Sequence, residues 1–132
     1  MLPNYTPGAY SPVAYMGASP ESHLPLTPVV FEILLALSDG ERHGYDIMRE
    51  VEQRSSGLVV LHAGTLYRAL HRMLRERLVE ELDERPGKND DLRRRYYGLT
   101  ALGRDVAVAE ARRLASQVTA ARTRRLLKGS AS

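Results

Sequence analysis

The chain has 132 residues, enough for one domain with a buried core and some appendages, and too few for two independent domains. It contains no cysteine, which removes disulfides, thiolate metal ligands and cysteine nucleophiles, and suits a reducing compartment. The net charge of +3 is too small to point to a polyanion by itself, but it is unevenly spread: residues 101–132 hold 7 of the 19 basic side chains against 2 of the 16 acidic ones.

Residues 1–26 carry five of the seven prolines, with Tyr5, Tyr10 and Tyr15 at five-residue spacing. Such a composition cannot bury a core of its own and predicts an extended N-terminal arm. The arm is either a mobile tail or a segment whose tyrosines dock on a partner subunit or line a groove. No basic stretch leads into an apolar one at the N-terminus, and the longest apolar run, Ile33 to Leu37, is far short of a membrane span. A cytoplasmic protein with no membrane partner is the expectation.

From Thr27 the pattern becomes helical. Thr27-Pro28 reads as an N-cap followed by an N1 proline, and Val30, Ile33, Leu34 and Leu37 then recur on one face until Asp39-Gly40. A second helix starts near Gly44, places Ile47, Met48 and Val51 together, and stops at Ser55-Ser56-Gly57. Leu58 to Leu61 is an apolar connector, either a strand edge or buried coil.

The third helix divides most sharply. At 100° per residue Leu66, Ala69, Leu70, Met73 and Leu74 share one side, while Gly64, Thr65, Arg68, His71, Arg72 and Arg75 occupy the opposite arc. Tyr67 lies at the border. One arc packs and the other is an array of donors, with Arg68 and Arg72 suited to base edges or phosphates of DNA. After it, Val79 to Glu84 and Arg94 to Leu99 alternate as strands, joined by a polar turn-rich tract over 85–91. Lys88, Arg93 and Arg94 there suit backbone or minor-groove contact. Tyr96, Tyr97 and Leu99 read as hairpin core, and Arg95 as an internal ion-pair partner.

Thr100 caps a last helix running to about Lys128. Its apolar stripe, Leu102, Val106, Ala109, Leu114, Val118 and Ala121, has no remaining core in its own subunit to cover it, so a homodimer interface is expected there. His23, His43, His62 and His71 show no metal-ligand spacing, and no nucleophile with a base or phosphate loop is present, so neither a metal site, a cofactor nor an enzyme is expected.

Thr-Pro-x-x-Phe-x-Ile-Leu (27–34), Gly-Tyr-Asp-Ile (44–47), Gly-Thr-Leu-Tyr-Arg-Ala-Leu (64–70) and Arg-Arg-Tyr-Tyr-Gly-Leu-Thr-x-x-Gly-Arg (94–104) occur in this order. Together they resemble the PadR family of bacterial transcriptional regulators, over roughly residues 27–105. The resemblance implies a winged helix-turn-helix dimer that usually represses its promoter and in many members is released by a small-molecule effector. The family's DNA contacts fall here on Gly64 to His71, including Thr65, Tyr67 and Arg68, and on the basic wing; Tyr45 is a further expected DNA-binding residue. A single terminal helix resembles the short subfamily. Arg77 stands where relatives usually have glycine, a departure that leaves open whether the left-handed turn they make after the third helix is kept. With no tryptophan, drug stacking at the interface is not carried over either.

The expected architecture is mainly α with a small β-hairpin: an arm (1–26), a winged helix-turn-helix (27–100), a dimerisation helix (101–128) and a tail (129–132). The expected function is a dimeric, sequence-specific DNA-binding regulator of the bacterial nucleoid, taking a pseudo-palindromic operator and a small effector of unknown identity. The alternative is a winged-helix protein-interaction module without DNA binding.

Overall fold

The computed structural model describes residues 19–82 and 95–128. Four helices surround a small antiparallel sheet. In chain order they are a 3-10 turn, Pro20–His23; α1, Pro28–Leu37; β1, Arg42–His43; α2, Gly44–Arg54; α3, Ala63–Arg75; β2, Val79–Leu82; β3, Tyr96–Leu99; and α4, Ala101–Thr123.

The helix starts follow the capping chemistry. Thr27 Oγ1 accepts the Val30 N–H at 3.3 Å, with Pro28 in the first turn, and Thr100 Oγ1 accepts the Gly103 N–H at 2.9 Å. The apolar faces of α1, α2 and α3 meet in one core in which Ile33, Leu34, Ile47, Val51, Leu66, Leu70 and Met73 are fully buried. Each large aliphatic side chain so buried stabilises the fold by about 1.5–3 kcal/mol relative to exposure.

The sheet has three strands in the order β1-β3-β2. Tyr97 lies opposite Arg42 on one side and Glu81 on the other, and its ring is completely buried. Strand β1 was not predicted: two polar residues carry no alternation, and they become a strand only by pairing with Tyr96 and Tyr97. Strand β2 runs over Val79–Leu82 to the edge of the described residues, β3 begins at Tyr96 with Arg95 in a bend before it, and the wing tract with Lys88, Arg93 and Arg94 lies outside the described residues. Arg95 does pair internally, its Nη1 donating to Glu81 Oε2 at 2.6 Å.

Residues 1–18 and 129–132 also lie outside the described residues, but 19–26, placed by composition in the extended arm, pack on the body. Leu24 and Leu26 touch the core and the Leu26 N–H donates to Glu110 Oε2 of α4 at 3.1 Å. Two apolar side chains and one buried acceptor suffice to dock a segment whose average composition reads as coil.

The turn after α3 is left-handed. Arg77 has φ 63°, so the left-handed conformation is present without glycine. The Leu78 N–H donates to Met73 O at 2.9 Å and the Arg77 N–H to Leu74 O at 3.1 Å, the paired bonds of a Schellman end. Ser56 and Arg125 close α2 and α4 in the same way, at φ 54° and 63°. The turn presents the Arg77 and Leu78 carbonyls to Thr100, whose Oγ1 donates to Arg77 O at 2.5 Å.

Helix α4 ends at Thr123 rather than near Lys128. Its stripe is also split. Leu102, Val106 and Ala109, expected at a dimer interface, are buried inside the subunit at 8%, 0% and 8% exposure. The core was not exhausted by the first three helices, because the sheet and α1 leave a face that the first half of α4 covers.

Candidate nucleic-acid interface

Burial on α3 follows the period of the sequence. Leu66, Leu70 and Met73 point inward, with Ala69 and Leu74 partly covered, and Gly64, Arg68, His71, Arg72 and Arg75 are exposed on the other side. Thr65 and Tyr67 are half-buried along the two borders of this arc. Tyr45 is half-buried in the first turn of α2, edge-on to His43 with ring centroids 6.4 Å apart. His43 itself is T-shaped against Tyr96 at 5.2 Å, which links the start of α2 to the hairpin.

The arc's cations are not equivalent. Arg68 Nη2 reaches Thr65 Oγ1 at 3.5 Å, a weak contact that leaves its charge uncompensated by any carboxylate among the described residues. Arg72 Nε instead donates to Glu76 Oε2 at 3.1 Å, one turn further along the same helix. Sequence reading set Arg68 and Arg72 side by side. The i,i+4 spacing of Arg72 and Glu76 is the signal that separates them.

Gly64 is informative by what surrounds it. Its φ is ordinary, and a Cβ built there would meet only Arg68 Nη1, at 3.7 Å. Nothing among the described residues requires glycine at this position. The surface it opens is flanked by Arg68 and His71, and it sits in the first turn of α3, where unpaired backbone N–H groups and the dipole favour an anion.

The acidic side chains nearby are occupied elsewhere. Asp46 takes both Arg49 at 3.2 Å and His43 at 3.3 Å on α2, and Arg54 ties Glu50 to Glu32 across to α1. These pairs keep negative charge on other flanks and leave the α3 arc cationic.

On α4, Leu114 and Ala121 are half-buried and Val118 is 38% exposed, so the second half of the expected dimer stripe remains uncovered in one subunit. Ala111, Leu114, Val118 and Ala121 follow one another at spacings of three, four and three along the part of α4 that lies beyond the buried Leu102 and Val106. No helix among the described residues is long and apolar enough to cross a membrane, and no group of three or more His, Asp or Glu among them is arranged to hold a metal.

A family profile described as the transcriptional regulator PadR-like family matches residues 33–109. An uncharacterised 37.1 kDa protein in transposon Tn4556 of Streptomyces fradiae is 39% identical over 83 residues, 63% of this chain but 22% of that protein, so this chain spans well under half of that relative. A crystal structure of a PadR family transcription regulator from Clostridium difficile is 26% identical, with a TM-score of 0.62 over 74% of this chain and 97% of that one. The RosR protein of H. salinarum is 28% identical, with a TM-score of 0.59 over 72% and 79% of the two chains. A transcriptional regulator from Clostridium thermocellum, 23% identical with a TM-score of 0.58 over 76% and 90%, shares the fold.

Proposed function

The chain belongs to the PadR-like family of transcriptional regulators, and we propose that it is a homodimeric, sequence-specific DNA-binding repressor of the bacterial cytoplasm, released by a small-molecule effector. The observation that carries the DNA reading is the α3 arc. Gly64, Arg68, His71 and Arg72 lie together on an exposed surface, with the half-buried Thr65 and Tyr67 along its borders. A helix of this kind fits the major groove, with its N-terminal residues nearest the bases.

The division of labour is as follows. Arg68, an arc cation with no carboxylate partner among the described residues, reads base edges or grips phosphate. Gly64 lets the helix start approach the backbone closely, Tyr45 and Tyr67 contact phosphates with their hydroxyls, and the wing residues Lys88, Arg93 and Arg94 neutralise the flanking backbone. Leu114, Val118 and Ala121 of two subunits pack together, so that paired reading heads meet half-sites about 34 Å apart. Repression and effector release are what the family resemblance supplies.

DNA selected from random duplexes by the full chain tests this reading. Footprints should show two protected half-sites related by a two-fold axis. Replacing Leu114 and Val118 by Asp should reduce the protein to a helical monomer by sedimentation and weaken protection of the paired site. No enrichment of any sequence, or a dimer that survives both substitutions, would contradict the respective half of the proposal.

A further inference from the structure

Glu76 stands at the C-cap of α3, where a carboxylate opposes the helix dipole and gains nothing for the helix. Its two oxygens face two partners. Oε2 accepts from Arg72 Nε at 3.1 Å, and Oε1 lies 3.9 Å from Nδ1 of His23 in the 3-10 turn. His23 is mostly covered, with 15% of its side chain exposed, while Arg72 is open at 57%. All three border one cavity of about 180 Å³ between the turn and α3, closed on its other side by Pro25, Leu26 and Val30.

The turn is held in register from behind. The Leu26 N–H is bound to Glu110 of α4, and Glu110 is bound by Arg113 through both guanidinium contacts, at 2.6 and 2.9 Å. The Arg113 guanidinium holds the Glu110 carboxyl below the usual carboxylate range, so this tether stays ionised wherever an imidazole titrates. Residues 22–26 therefore bridge the helix that carries the stripe and the helix that carries the cationic arc.

We propose that Glu76 and His23 are positioning residues for Arg72: Glu76 withholds Arg72 from the DNA backbone, and protonation of His23 draws Glu76 away and releases it. The inference rests on the α3 arc binding DNA. With His23 neutral, a phosphate must displace the Glu76 carboxylate from Arg72. With His23 charged, the carboxylate has a second cation at its other oxygen, and closing the 3.9 Å gap makes a charge-assisted hydrogen bond. The charged groups that border the cavity with His23 are Glu76 and Arg72 from α3; on the α4 side the paired Glu110 and Arg113 hold the segment through the Leu26 N–H, and Glu21 lies on the turn itself. DNA affinity therefore rises as His23 takes up a proton.

The affinity of the full chain for its selected duplex, measured between about pH 8 and pH 6 at constant ionic strength, tests this. The parent and the His23→Gln chain are compared at each pH, so that whatever the other histidines contribute is common to both and the pH dependence is read as their difference. The parent should bind several-fold tighter at the lower pH. Glu76→Gln should bind tightly at both ends, with a salt slope steeper by about one phosphate contact. His23→Gln, which keeps the side chain's bulk, should lose the pH dependence, and adding it to Glu76→Gln should change nothing further. Glu76→Gln binding no tighter than the parent, or full pH dependence in His23→Gln, would overturn the inference. A readout without DNA separates it from the parent reading: the Arg72 Nε–H resonance should follow the His23 titration in the free protein, and an Arg72 signal indifferent to His23 overturns the inference whether or not DNA is bound.

Discussion

The first turns of α3 and α4 each contain a glycine, and the two are there for opposite reasons. A Cβ at Gly103 would lie 1.9 Å from the Leu78 carbonyl oxygen, a backbone atom fixed by the left-handed turn at Arg77 and by Thr100. A Cβ at Gly64 would touch nothing closer than 3.7 Å, at the tip of a flexible arginine. One glycine is demanded by the packing of the chain on itself. The other is demanded by nothing among the described residues, so the contrast bears on the proposal that α3 approaches DNA there.

The contrast can be broken or sharpened by substitution. Gly103→Ala should have the largest effect, because α4 must shift off the Leu78 carbonyl; a loss of about 3 kcal/mol or more in chemical denaturation is expected. A near-wild-type midpoint would mean that α4 does not cross the turn as closely as 1.9 Å implies. Arg77→Gly, in the same joint, should act in the other direction. Relieving a non-glycine residue at φ 63° gains about 1 kcal/mol after the extra freedom of the unfolded chain is counted, and unchanged stability would show that the turn carries no strain. Gly64→Ala should have the smallest effect on folding, from none to a gain of about 1 kcal/mol, since alanine suits a helix better. The same change should weaken DNA binding. If it destabilises the fold instead, or leaves binding untouched, the glycine is not a point of close approach.

Much of this arrangement is legible in the sequence, for identifiable reasons. The two arcs of α3 follow from a helical period over a segment long enough to show it, and the caps at Thr27 and Thr100 from local hydrogen-bond chemistry. That Arg95 is an internal ion-pair partner follows from the strand face it shares with Tyr97, whereas its partner Glu81 is set by the pairing of the two strands. What the sequence does not show is how far along its length a helix stays inside its own subunit. Leu102 and Val118 belong to the same kind of apolar pattern, yet one is 8% exposed and the other 38%, because only the first half of α4 has the sheet and α1 beneath it. Strand β1 and the docked segment 19–26 were hidden for a related reason. Each is defined by a partner distant in sequence, β3 in one case and Glu110 in the other.

The same distinction separates Arg68 from Arg72. Both are exposed and basic, but Arg72 already spends its charge on Glu76, whereas Arg68 has only the Thr65 hydroxyl. The central claim, that α3 reads DNA through this arc, therefore falls most directly on Arg68. The decisive measurement is the affinity of the wild-type chain and of Arg68→Ala for the selected operator and for a scrambled duplex, across a range of salt. A wild-type affinity that falls steeply with salt is expected, together with an Arg68→Ala protein that folds normally but loses about 1–3 kcal/mol of operator binding or about one unit of salt slope. A flat salt response, or an Arg68→Ala protein that binds both duplexes as the wild type does, would place the reading surface elsewhere.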